Sequence, residues 1–63
     1  MEDLANACFL YRIKNDLSQK AMGKKCGLSR KLIIDAEHGR KVSRKTAAKI
    51  NIVVRGFDYE EQF

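Results

Sequence analysis

Residues 26–34 read CGLSRKLII, and the reading of this stretch decides the fold. Gly27 suits the C-terminal turn of a helix, where the chain adopts positive φ. Ser29 suits the N-cap of the next helix, because its hydroxyl can accept from a backbone N–H in the first turn. Working outward, Ser18 caps a short helix running to about Lys25, and Gly39 ends the helix led by Ser29 at Glu37 or His38. Upstream, a first helix spans about Asp3 to Asn15, with Leu4, Cys8 and Tyr11 on one face. Downstream, Ser43 caps a fourth helix that buries Ala47, Ile50 and Val54 and stops at Gly56. Asp58 can then start a final turn that tucks Phe57 and Phe63 inward. Only INIVV, residues 50–54, is β-prone, and one strand cannot build a sheet. The spacing therefore predicts an all-α chain of four to five short helices.

Sixty-three residues make one domain, with a core that gives only marginal stability by itself. The chain holds no proline, linker or repeat that would divide it. Cys8 and Cys26 stand eighteen positions apart and, with one histidine, lack the tight spacing of a zinc site. Small apolar core residues in a reducing cytosol is the simpler reading. The absence of an apolar run long enough to span a bilayer, or of a leader, points to a cytoplasmic protein with no membrane role. Oligomerisation is the expected source of extra stability. The net charge is +5, unevenly spread. From Lys20 to Lys49 ten cations face only Asp35 and Glu37, a balance of +8, while the rest of the chain carries −3. A basic middle between acidic ends suits a polyanion, since clustered cations release counterions from phosphates. A merely soluble, lysine-rich surface has the same composition.

Two short helices joined by a tight glycine turn, the second with a cationic start, form a helix-turn-helix; its second helix enters the DNA major groove N-terminus first. Gly23 fits this arrangement. A mid-helix glycine costs about 1 kcal/mol relative to alanine, and the absent side chain lets the two helices approach closely. An ordinary αα-hairpin remains the competing reading of the pattern alone. The stretch LSQKAMGKKCGLSRKLIIDAEHGRK, residues 17–41, resembles the helix-turn-helix of the phage repressor and Cro-like (Xre) family. The family positions are occupied here by Leu17, Ser18, Gln19, Gly23, Gly27, Leu28, Ser29, Ile33, Glu37 and Gly39. VSRKTAAKI resembles the start of the family's fourth helix and GFDYEEQF its closing helix, so the likeness covers nearly the whole chain.

The resemblance implies a lambda-repressor-like domain over residues 1–63, with the motif at 18–38 and the recognition helix at about 29–38. It also implies roles. Gln19 corresponds to a residue that donates to a backbone phosphate at a helix N-terminus, or it braces a side chain of the recognition helix. Arg12 and Glu37 correspond to a charge-assisted pair that locks helix one to helix three, a fold role without DNA contact.

Helical projection at about 100° per residue turns Ile33, Ala36 and the stem of Glu37 inward. Lys31, Ile34, Asp35 and His38 then face outward, with Ser29 leading and Arg30 on the flank. Arg30 and Lys31 match the O6 and N7 acceptors of guanine, although either could hold only phosphate. Ile34 could meet a thymine methyl or mark a protein interface. Asp35 departs from the polar or basic residue common in the family at this place. It could accept from cytosine N4 and exclude wrong sequences, or pair with Lys31 and read nothing. His38 belongs near phosphate, with no chemistry of its own. Arg40, Lys41, Arg44 and Lys45 follow in a loop and cap, placed to orient the chain on a sugar–phosphate strand. Neutralising about five phosphates would give a salt slope of roughly −4 to −5 per subunit.

Helix one carries a second feature. Phe9, Leu10 and Ile13 lie roughly 120° or more from its inner stripe, and Ile52 likewise points away from the inner face of helix four. Three apolar side chains together suggest a covered surface, either a protein partner or a second copy. Enzyme chemistry, a cofactor and a small-molecule ligand find no support: there is no paired carboxylate, activated nucleophile or phosphate-cradling glycine loop. The sequence thus points to a sequence-specific transcriptional regulator, a Cro-like repressor of a phage or mobile element bound to double-stranded DNA as a homodimer. The alternative is a protein-binding module on the same fold, an antirepressor or antitoxin acting through helix one.

Overall fold

Each helix begins at a side chain able to satisfy the orphan N–H groups of a first turn. The computed structural model describes residues 3–56. Asp3 accepts from Asn6 N–H at 2.8 Å and opens α1, Leu4–Lys14. Ser18 accepts from Ala21 N–H at 3.0 Å and opens α2, Gln19–Cys26. Ser29 does the same for Leu32 N–H at 3.3 Å, opening α3, Arg30–Glu37. Ser43 opens α4, Arg44–Arg55, by accepting from Thr46 N–H at 3.1 Å. Among the described residues these four helices are the regular structure, and there is no strand. The expected closing turn around Phe57, Asp58 and Phe63 lies outside the described residues.

The stops follow the same logic. Gly27 has φ of 73°, which lets Leu28 N–H fold back onto Gly23 C=O at 2.8 Å and satisfy the end of α2. The end of α1 is less usual: Asp16, not a glycine, takes the left-handed conformation with φ of 56°. Aspartate tolerates that region better than most residues, and Leu17 N–H closes the turn on Arg12 C=O at 2.9 Å.

Every helix contributes to one core. Cys8 comes from α1, Met22 and Cys26 from α2, Ile33 and Ala36 from α3, and Ile50 from α4. Met22, Ile33 and Ile50 are fully enclosed, and truncating any of them to alanine costs about 2–5 kcal/mol. Leu4, Tyr11, Leu17, Leu28, Val42, Val53 and Val54 pack around this centre, half-buried. α1 and α2 each pack against both α3 and α4. Both cysteines are free and buried.

One expectation needs correction. The buried residue at the start of α4 is Thr46 and not Ala47, which is half-buried. Thr46 is polar but satisfied, since its hydroxyl accepts from Ser43 Oγ–H at 3.0 Å while its N–H donates back to the same oxygen. Ile52, expected to point away from the inner face of α4, is half-buried. Ile34, expected on the outer face of α3, is half-buried as well. No helix among the described residues is long and apolar enough to cross a membrane.

Candidate nucleic-acid interface

The turn between α2 and α3 is tight because Gly23 has no side chain. A Cβ built there would lie 2.7 Å from Leu28 C=O and 3.3 Å from the Ser29 carbonyl carbon. Both are backbone atoms that cannot rotate away, so Gly23 fixes how closely α3 sits on α2. Around this turn the chain presents Lys24, Lys25, Arg30 and Lys31, all exposed, and Ser29 is exposed beside them. Past α3 come Arg40, Lys41, Arg44 and Lys45, also exposed. Ser29 caps α3 through its Oγ and is itself exposed.

α3 is held from behind by a polar lock. Arg12 Nε donates to Glu37 Oε2 at 2.7 Å and Arg12 Nη2 to Glu37 Oε1 at 3.1 Å, a two-pronged pair. The side chains are 14% and 5% exposed, so the pair sits mostly out of water. The third guanidinium nitrogen, Nη1, donates to Leu17 C=O at 3.0 Å and ties in the link between α1 and α2. Gln19 Nε2 adds a donor to Glu37 Oε1 at 3.3 Å, and the Cys8 thiol lies 3.8 Å from Oε2 as a weaker donor. Burial, reinforced by the adjacent Glu37 charge, pushes the Cys8 thiol up to about 12. Burial also raises Cys26. The hydrogen bonds to Glu37 hold Arg12 above its ordinary value. Gln19 is thus placed as a brace on α3, with its amide turned to Glu37.

The outward flank of α3 has a different arrangement. Asp35 Oδ2 accepts from Lys31 Nζ at 3.1 Å, and Asp35 Oδ1 accepts from Arg40 Nη1 at 2.9 Å. These bonds, Arg40's first and Lys31's next, hold the Asp35 carboxyl below its ordinary value. Of the residues expected to meet nucleic acid, Lys31, Asp35 and Arg40 are therefore brought together. Arg30, Lys41 and Arg44 have no carboxylate within ion-pair distance among the described residues. His38 is exposed and caps α3: its Nδ1–H donates to Ile34 C=O at 2.8 Å.

On α1, Phe9, Leu10 and Ile13 are 42%, 50% and 53% exposed. The Arg12 guanidinium carbon lies 5.5 Å from the centre of the Phe9 ring, so that ring also covers part of the lock. Sequence reasoning missed Cys8 and Leu17 as members of the lock. A signal existed for Cys8, which stands one helical turn before Arg12 on the same face. The Arg40–Asp35 pair had no such signal, because it forms past the end of α3. Comparison of the chain with protein-family models, with curated proteins and with solved structures finds no match.

Proposed function

We propose that this chain is a sequence-specific DNA-binding transcriptional regulator with a lambda-repressor-like helix-turn-helix, acting as a Cro-like repressor in the cytoplasm. The observation that carries the reading is the Gly23–Gly27 turn, which seats α3 against α2 while Ser29, Arg30 and Lys31 stay in solvent. An N-terminus with caps and cations suits entry into the major groove, where Arg30 can donate to guanine O6 and N7. Lys41, Arg44 and Lys45 supply phosphate contacts that set orientation. Binding as a homodimer would place two copies of α3 on half-sites about one helical turn apart, and repression would follow from covering promoter DNA.

The exposed Phe9, Leu10 and Ile13 favour a second reading, a module that binds another protein through α1, as an antirepressor or antitoxin would. Selection from a random duplex library across a salt series separates the two. The regulator enriches one pseudo-palindromic sequence, and Arg30→Ala relaxes selection at particular base pairs. Retention without enrichment at any salt concentration would remove the regulator reading.

A further inference from the structure

Asp35 is bound on both oxygens by cations that the DNA-binding reading needs. Its side chain is 16% exposed beneath Lys31 and Arg40, whose own side chains are 83% and 60% exposed. Arg40 is tied twice: Gly39, with φ of 74°, turns the chain so that Arg40 N–H donates to Asp35 C=O at 3.0 Å, and the guanidinium then reaches the carboxylate. The backbone bond places Arg40 just past the end of α3, within reach of the Asp35 carboxylate. Ion pairs with exposed cations are weak enough to exchange. A phosphate that recruits Lys31 or Arg40 must nevertheless displace a carboxylate already in place. The displaced anion stays within a Debye length of about 8 Å and opposes the newcomer.

We propose that Asp35 is an internal counterion that competes with duplex phosphates for Lys31 and Arg40 and so limits unselective binding. The inference rests on the DNA-binding reading and adds a named residue that opposes it on arbitrary sequence. Arg30, Lys41, Arg44 and Lys45, with no such partner among the described residues, carry the unselective attraction, and Lys31 and Arg40 contribute little until Asp35 is neutralised.

The test is a salt titration of binding to a random-sequence duplex by fluorescence anisotropy, comparing wild type, Asp35→Asn and Asp16→Asn. Asp16 is exposed and in no ion pair among the described residues, and asparagine tolerates its positive φ, so Asp16→Asn is the matched change of charge. Asp35→Asn is expected to bind about tenfold more tightly, with a log–log salt slope steeper by about 1–2. Arg40→Ala should change binding less than about twofold in wild type and several-fold in the Asp35→Asn background, a coupling that general charge cannot produce. Equal behaviour of Asp35→Asn and Asp16→Asn, with wild type binding normally, overturns the inference and leaves the DNA-binding reading standing. Failure of all three proteins to bind the duplex at low salt, each folded by circular dichroism, overturns the reading and the inference with it.

Discussion

α3 carries two clusters with the same ion-pair chemistry in opposite surroundings. On its inner side, Arg12 and Glu37 pair at 2.7 Å with little access to water, and every remaining prong of the guanidinium finds a partner. On its outer flank, Asp35 pairs at similar distances with Lys31 and Arg40, two cations that stand mostly in solvent. Distance is nearly the same, so environment decides what each cluster does. Breaking a buried pair strands a desolvated charge, whereas an exposed pair is exchanged for water or another ion at little cost. The inner cluster is therefore suited to hold α3 and the outer one to respond to what approaches it.

Removing one partner of the inner pair should have the largest effect. Glu37→Ala leaves Arg12 with only the Leu17 carbonyl as acceptor, and Arg12→Ala strips Glu37 of its cation, leaving it the Gln19 amide and the Cys8 thiol. Each should lose roughly 3 kcal/mol in urea denaturation followed by circular dichroism. For a chain of this size that is a large share of total stability. A loss no greater than that of Lys31→Ala would erase the distinction between the clusters.

Gly23→Ala should come next. Helix propensity favours the alanine by about 1 kcal/mol, but its Cβ meets unyielding backbone at 2.7 Å. Overpacking of this kind costs about 1–3 kcal/mol, so the net change should be destabilising. A more stable Gly23→Ala protein would mean that α2 and α3 are not seated this closely.

Titration should separate the clusters at opposite ends of the pH scale. The Cys8 thiol is raised from 9.0 to about 12, so its contribution is complete below pH 9 and is lost as pH climbs from there toward 12. The urea midpoint of wild type should therefore fall over that interval more steeply than that of Cys8→Ala. Asp35 is lowered from 3.8, so what it contributes is present above that value and disappears as pH falls through its folded pKa. The smallest effect belongs to Asp35→Asn: at neutral pH its melting temperature should stay close to that of wild type, far from the loss in Glu37→Ala.

The parts of this arrangement governed by local chemistry could be read from residue order. Ser18, Ser29 and Ser43 cap helices because a serine hydroxyl satisfies a first-turn N–H wherever the chain enters a helix. Gly27 and Gly39 turn because positive φ costs them little. The close approach at Gly23 was also legible, since a mid-helix glycine needs a reason. What escaped depends on contacts made after the helices assemble. Thr46 is buried because Ser43 occupies its hydroxyl, and helical projection, which sees only hydropathy, favoured Ala47. Arg40 lies beyond α3, so no periodicity links it to Asp35.

The most direct measurement is amide chemical-shift mapping of the folded protein as a random-sequence DNA duplex is added at low salt. The account predicts changes concentrated at Ser29–Ile34 and Gly39–Lys45, with Phe9, Leu10 and Ile13 undisturbed. Changes centred on α1, or none at Arg30 and Lys31 while the duplex is bound, would contradict it.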